Sequence, residues 1–466
     1  LSGYLDFLDR KESVAPMTGM KEVPPLHRAL KPFQRDIVSW ALRRGRAANF
    51  CATGLGKTIQ QLAWADAVQR HTQGTVQILT PLAVAEQTIS EAAKFDIPGV
   101  AYAPDRQSVT SRITVTNYDR LEKFDPSVFA GVVADESSII KAHDSQTRIA
   151  MIDAYARTPW KFPCSATPAP NDWVELGNHA EFLGVMTEKE MLATFFVHDG
   201  SVRAHGDAEW RLKRHAEKDF WRWLASWAVV IRSPRDLGYE EAGYDLPPLH
   251  KHQVTVPVEY APQAGMLFPM EARTLGERIA ARRDSIDDRV AAAAKLVAQK
   301  PDAPWLIWCG LNQEADALVK AIRGAVQVQG SDERGIKAKR LLGFKEGDPL
   351  YLISKTSIAG FGLNYQHCAD MIFVGLNDSF EQLFQGVRRC WRFGQTRPVN
   401  VYLIASELEG AVVENLNAKE RDYERMCDAM AEHMRDLTCE AVRGSHHEAP
   451  IYQPSHTMEL PGWLAA

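Results

Sequence analysis

The chain contains no apolar run approaching the roughly 20 residues that span a bilayer, which excludes an ordinary membrane-crossing helix. Its seven cysteines are scattered, odd in number and without a Cys-x-x-Cys pair. That argues against a disulfide framework and against a zinc site, and leaves reduced thiols in a cytoplasmic setting as the expectation. The opening LSGYLDFLDRKE carries early charge and lacks the apolar core of a signal peptide, which points the same way. No global positive charge is present either: 54 Lys and Arg stand against 59 Asp and Glu, for a net charge of −5. A polyanionic partner must then be held by local basic surface. What is there is ordinary globular composition, 45% hydrophobic and 24% charged, in 466 residues. That length exceeds one common core and predicts two or three domains.

The most informative stretch is CATGLGKT, residues 51–58. An apolar lead-in (47–50) precedes it and an amphipathic run (59–68) follows, the strand–loop–helix order of a phosphate-binding loop. Gly54 and Gly56, on either side of Leu55, permit a tight turn that points N–H groups at phosphate oxygens. The following helix adds its positive dipole end. Lys57 is placed to reach the β- and γ-phosphates, and the Thr58 hydroxyl to bind Mg²⁺. Cys51 stands where such loops usually begin with glycine. The bland alternative is a glycine-rich turn that merely opens a helix.

Upstream, LKPFQRDIVSWALRRGR (30–46) sets Pro32 in a first helical turn, with Phe33, Ile37, Trp40 and Ala41 at helical spacing. Gln34 on that turn offers one donor and one acceptor to an adenine edge. Downstream, TVQILTPLAVAEQT reads as a strand, Thr80-Pro81, then a helix, and ITVTNYDRLEKF as a strand and polar turn. GVVADESSIIK (131–141) is an apolar strand ending in paired carboxylates. Asp135 is placed to hold Mg²⁺ directly or through water, and Glu136 to orient or deprotonate an attacking water. Another strand ends in Ser165-Ala166-Thr167-Pro168, whose small hydroxyls suit hydrogen bonds to a neighbouring carboxylate. Strands alternating with helices over residues 47–170 predict a mostly parallel α/β sheet, with all these stretches on the rim of strand carboxyl ends.

Residues 186–231 turn helical and aromatic, with Phe220, Trp223, Leu224, Trp227 and Ile231 at helical spacing. This predicts a helical insertion whose stripe is core; base stacking on Trp221 or Trp223 is the alternative. DLGYEEAGYDLPPLHKH (236–252) reads as a linker, and residues 258–299 as a long Ala- and Arg-rich helical region. A second α/β pattern follows from residue 305 without a GKT, so it is not a second independent NTPase. Between Glu381 and Glu407 there is no acidic side chain, while Arg388, Arg389, Arg392 and Arg397 crowd together. Arginines at that density suit phosphate. Residues 414–440 form a charged helix with Leu416, Tyr423, Met430 and Leu437 seven apart, a brace packed on the domains or, as the lesser option, a dimer coiled coil. Residues 444–466 read as extended or disordered.

In order and spacing these stretches resemble the helicase-like ATPases of superfamily two, and most closely the Swi/Snf-type DNA translocases, over roughly residues 26–410. LKPFQRDIVSWAL is similar to the family's adenine-reading segment, ATGLGKTIQ to its phosphate loop, ILTPLAVAEQT to its next segment and VVADESSIIK to its Asp-Glu box. CSATPAPN with WVELGNHAEFL resembles the third signature; LIWCG, SKTSIAGFGLN and QGVRRCWRFGQTRPV complete the set. The ending R-x-x-R-x-G-Q is the most specific, and IRSPRDLGY with LPPL resembles the family's linker. Compactness, the DESS variant and the FFVHDG…EWRLKRHA insertion resemble the small versions found in phages and prophages. Cys51-Ala52-Thr53 and Ser137-Ser138 depart from the usual pattern.

The resemblance implies an α/β fold of two RecA-like lobes with parallel sheets. Its parts are a lead (1–25), lobe one (26–240) with a helical insertion near 186–231, a linker (241–257), lobe two (258–410), and a C-terminal brace helix and tail (411–466). ATP and Mg²⁺ are expected in the cleft, held by Gln34, Gly54, Leu55, Gly56, Lys57 and Thr58 with Asp135. Glu136 would position the hydrolytic water, and Arg389 and Arg392 would be arginine fingers. Ser165, Thr167, Gly362 and Gln385 would couple the lobes; Thr80, Pro81, Asn117, Lys141 and Thr356 would track a DNA backbone. The implied function is a DNA-stimulated ATPase translocating on double-stranded DNA as a monomer, in a bacterial cytoplasm or nucleoid, with any phage or bacterial protein partner unspecified. Two rivals stand beside it: a strand-separating helicase on DNA or RNA, and an ATP-gated scaffold that clamps nucleic acid or a partner nuclease or methyltransferase.

Overall fold

Short, fully apolar strands alternate with helices twice along the chain, and each series closes its own parallel sheet. The computed structural model describes residues 14–81, 84–140, 145–169, 172–202, 208–240, 243–257, 282–359, 364–377 and 379–443. Lys141, Gly362, residues 258–281 and the tail from residue 444 lie outside the described residues.

The first sheet contains β1 (Ala48–Cys51), β2 (Thr75–Thr80), β3 (Val100–Tyr102), β4 (Ile113–Asn117), β5 (Phe129–Asp135) and β6 (Trp160–Cys164). Two further strands, β7 (Phe196–Val202) and β8 (Ala208–Leu212), pair with each other as an antiparallel hairpin outside this sheet. The strand β9 (Ala228–Ile231) completes it, in the order β3-β4-β2-β5-β6-β1-β9. All its pairings are parallel, so Cys51, Thr80, Asn117, Asp135 and Cys164 end on one rim. An opening helix (Pro32–Arg44) and the loop helix (Lys57–Thr72) pack against it; Trp64 of the loop helix stacks on Phe162 of β6 with ring centroids 5.2 Å apart.

The second sheet contains β10 (Leu249–Val256), β11 (Trp305–Cys309), β12 (Ala325–Val328), β13 (Tyr351–Lys355), β14 (Asp370–Val374) and β15 (Val399–Ser406). Its order is β10-β15-β14-β11-β13-β12, again all parallel. At the β11 rim, buried Glu314 accepts from Gly310 N and Leu311 N at 2.8 and 2.9 Å and pairs with buried Arg289 at 2.8 Å. The fold is therefore two RecA-like lobes, each with a rim of parallel strand ends.

Two stretches differ from the sequence expectation. The insertion is not helical throughout: it holds the β7–β8 hairpin, with Phe196 opposite Leu212, and ends in β9, where the β-branched run AVVI extends the sheet beside β1. Its aromatic stripe is core, as Trp221, Trp223 and Trp227 are 4%, 1% and 0% exposed, which removes the stacking alternative. The stretch read as linker includes β10, whose 8 residues pair with β15. It alternates too weakly to stand out because an edge strand is largely exposed.

The chain's last described element is a helix of 34 residues (Gly410–Arg443), about 51 Å long at 1.5 Å per residue. It buries Val412, Val413 and Leu416 in the second lobe's core and Met426, Met430 and Met434 in the first lobe's. It is a brace across both lobes; the expected Leu416, Tyr423, Met430 and Leu437 all pack on these cores, joined in the first lobe by Met426 and Met434. Among the described residues no helix is long and apolar enough to cross a membrane.

Candidate nucleotide site between the lobes

The loop after β1 is pinched from two sides. Gly54 and Gly56 have φ of 95° and 76°, the left-handed region that glycine enters without cost. A Cβ at Gly56 would lie 2.4 Å from Gln34 Nε2, and one at Gly54 would lie 3.0 Å from Phe393 Cβ of the second lobe. Leu55, at the loop's tip, is buried. Its carbonyl accepts from Gln34 Nε2 at 2.9 Å and from Gln60 Nε2 at 3.0 Å, and Gln34 Oε1 accepts from Lys31 N at 2.9 Å. Gln34 thus anchors the loop to the opening helix, which leaves one amide hydrogen and one lone pair for a base. Lys57 Nζ donates to the Cys51 carbonyl at 2.9 Å, and half-buried Thr58 follows it in the first turn of the loop helix.

Asp135 ends β5 beside this loop. Its Oδ1 accepts from Gln61 Nε2 at 2.6 Å, and its carbonyl from the Tyr118 hydroxyl at 2.6 Å. Burial pushes its pKa up, against the pull of Gln61 and Lys57. Glu136 turns out of the strand with φ of 51°. Burial and the adjacent Asp135 raise its pKa to about 7, while Lys57 and Arg389 act in the opposite sense.

The second lobe reaches these carboxylates through a cleft helix (Phe380–Val387). Ser138 Oγ donates to Glu381 Oε1 at 2.7 Å, and one turn on, Gln385 Nε2 lies 3.5 Å from Glu136 Oε2. Arg389, buried just beyond the helix, donates from Nε to the Gln385 carbonyl and from Nη2 to Gln385 Oε1, both at 3.1 Å. Arg392 donates to Asn364 Oδ1, and its Nε is buried without an acceptor among the described residues. Burial and Arg389 bring the Arg392 pKa down to about 9, opposed by Glu91 and Glu136 of the first lobe. Lys57, Asp135, Glu136, Arg389 and Arg392 therefore share one electrostatic neighbourhood where the two rims meet. The side chains of the other two arginines make different contacts: Arg388, though close enough to repel Arg392, lies over Trp391 and Phe384, and Arg397 donates to the His367 carbonyl.

Several expected positions fall elsewhere. Ser165 Oγ accepts from Thr167 N at 3.0 Å within its own turn, and the buried Thr167 hydroxyl has no hydrogen-bond partner among the described residues. The contact out of that turn is made instead by Ala166, whose carbonyl accepts from Tyr423 of the brace helix at 3.0 Å. Thr80 and Asn117 are buried. The Thr80 hydroxyl donates to the Pro81 carbonyl at 3.1 Å; Asn117 Nδ2 donates to the Thr80 carbonyl at 3.4 Å, and its Oδ1 accepts from Tyr102 at 3.1 Å. Both side chains tie strand ends together rather than face solvent, so the expected side-chain contacts to DNA are not offered there; Pro81 is half-buried. Thr356 donates to Gln382 Oε1 at 3.0 Å on the second lobe's rim. Sequence reasoning missed Gln61, Glu381 and Tyr423, whose partners lie far along the chain, and Gln60, which bonds Leu55 and Asn49 close by.

No family model and no curated protein matches the chain. Among solved structures it is similar to the Sulfolobus solfataricus SWI2/SNF2 ATPase core in complex with dsDNA, at 17% identity and a TM-score of 0.41, over 91% of this chain and 98% of that one.

Proposed function

We propose that this protein hydrolyses ATP in the cleft between its lobes and uses the cycle to move along double-stranded DNA. One observation carries the chemical half: Glu136 of the first lobe is acted on by Lys57 of the glycine loop and by Arg389 of the second lobe, and Gln385 reaches its carboxylate. A triphosphate fits this arrangement. The left-handed glycines give a tight loop in which a Cβ would collide with Gln34 or Phe393, and Lys57 lies across it. Thr58 and Asp135 supply the hard oxygen donors that would hold Mg²⁺; the ion, when bound, neutralises phosphate charge.

The residues divide the work by their surroundings. Glu136, with a pKa near 7, is poised to take a proton from water at neutral pH. Arg389 and Arg392 are desolvated cations facing the same carboxylate from the opposite lobe. Placed there, they stabilise charge developing on a transferred phosphoryl group. Lys57 and the arginines grip one phosphate chain from two lobes, so nucleotide holds the lobes together and hydrolysis loosens them. The Ser138–Glu381 and Gln385–Glu136 contacts would be remade in each cycle.

The duplex-DNA half is supported by the resemblance of the segments. Contacts of that kind go to phosphates and carry no sequence information, and binding should fall steeply with salt. The test is the ATP hydrolysis rate with duplex DNA, single-stranded DNA, RNA and no nucleic acid. Duplex DNA should stimulate most; equal rates in all four overturn the proposal. Triplex displacement without strand displacement is expected. The reverse result would indicate a strand-separating helicase, and stimulated turnover with neither would indicate a clamp.

A further inference from the structure

On another face of the cleft helix lies a cavity of about 130 Å³ that the nucleotide chemistry does not use. It closes where Val401 and Leu403 of β15, Tyr423 and Cys427 of the brace helix, and the cleft helix itself converge. Its walls are mostly apolar, and Arg388 enters it. The guanidinium carbon sits 4.3 Å from the Trp391 ring centroid and 5.0 Å from that of Phe384, so two aromatic rings hold the cation at the cavity.

The other cations on the lining carry ion-pair partners; Arg388 has none among the described residues. Arg232 is paired with Asp428, and Lys251 with Glu420. Glu424, also on the lining, is exposed and makes no ion pair with Arg388 among the described residues. The Arg388 Nε is buried with no acceptor among them. Burial pulls its pKa down to about 10, opposed by Tyr423 and Cys427 and aided by Arg232. Arg388 is thus half-buried, with its Nε cut off from water and no anion beside it, an uncommon arrangement beside an apolar cavity.

We propose that this cavity binds a small aromatic monoanion of benzoate size, its ring among the apolar walls and its acidic group on the edge of Arg388. The volume sets the size: about 130 Å³ is slightly below the roughly 150 Å³ of an apolar cavity that takes up benzene, so one ring is the most it holds and the acidic group lies outside the apolar volume, toward half-buried Arg388. The half-buried, unpaired guanidinium sets the charge and the shape, because two coplanar acceptors match its parallel N–H groups. The claim stands independently of the ATPase reading. Where both hold, an occupant would steady the helix that carries Glu381 and Gln385.

The experiment titrates the full chain with benzoate and with its neutral isostere benzamide, by calorimetry or ligand-observed NMR. Wild type should take benzoate about tenfold more tightly than benzamide, the margin of one charge-assisted pair. Arg388→Gln should abolish that preference. Equal affinities in wild type, or no saturation by benzoate, would overturn the proposal without reliance on any variant. Benzoate binding that survives Arg388→Gln but is lost in Arg392→Ala would move the anion to the cleft and overturn it as well.

Discussion

Replacing Glu136 by glutamine should stabilise the protein while it abolishes turnover, and the gain should depend on pH. The folded-state pKa of about 7 lies above the ordinary 4.5. Between those values the folded protein keeps a proton that the unfolded chain releases, so stability falls as pH rises through the window and stays low above it. A glutamine carries no charge at any pH and escapes that penalty. The separation amounts to at most about 3 kcal/mol at pH 8, about 2 kcal/mol at pH 6 and under about 0.5 kcal/mol at pH 4.5. The upper value is a ceiling, because the half-buried carboxyl keeps some contact with water. Backbone strain cancels in the comparison, since both residues must adopt the left-handed φ of 51°. The assay is urea denaturation of wild type and Glu136→Gln at those three pH values, alongside DNA-stimulated ATP hydrolysis. A gain that is the same at all three, or none at pH 8, refutes the desolvated-carboxylate account; normal hydrolysis refutes the role assigned to Glu136.

Arg392→Ala should spare nucleotide binding and remove hydrolysis, because its guanidinium is held by Asn364 on the second lobe rather than by the loop; a nucleotide titration showing lost binding would contradict this. Tyr423→Phe keeps the ring on Phe380 and Phe384, each at 5.3 Å, and deletes only the hydroxyl that donates to the Ala166 carbonyl. It should cost about 1 kcal/mol in denaturant stability, rising toward about 3 if the carbonyl is left dry; an unchanged midpoint would mean that this bond to the brace helix contributes nothing.

What could be read from the sequence was local. A strand, GLGKT and a helix are contiguous, so the loop and its left-handed glycines are legible from eight residues. Asp135-Glu136 is legible because an apolar run stops at two carboxylates, and parallel pairing then brings that end to the same rim as the loop. Contacts between segments distant in the chain have no such signature. Ser138 and Glu381 are separated by 243 residues, Gln61 and Asp135 by 74, and Tyr423 and Ala166 by 257. The first and last are set by how two lobes and a brace dock, and the Gln61–Asp135 contact by how the loop helix packs on β5. Thr80 and Asn117 mislead for a related reason: a polar residue at a strand end either faces solvent or closes the turn, and the Tyr102–Asn117–Thr80 hydrogen bonds decide for the turn. The hairpin at residues 196–212 was hidden by the aromatic stripe that follows it, since helical spacing over residues 220–231 colours the whole stretch.

The central claim is that one nucleotide is held by residues from both lobes, and steady-state ATP hydrolysis of Lys57→Ala and Arg389→Ala at saturating ATP and duplex DNA tests it most directly. Both variants should fall by about a hundredfold or more, the usual loss when a charge that stabilises the transition state is removed. Hydrolysis by Arg389→Ala at the wild-type rate would show that the second lobe contributes nothing to the chemistry and would contradict the account.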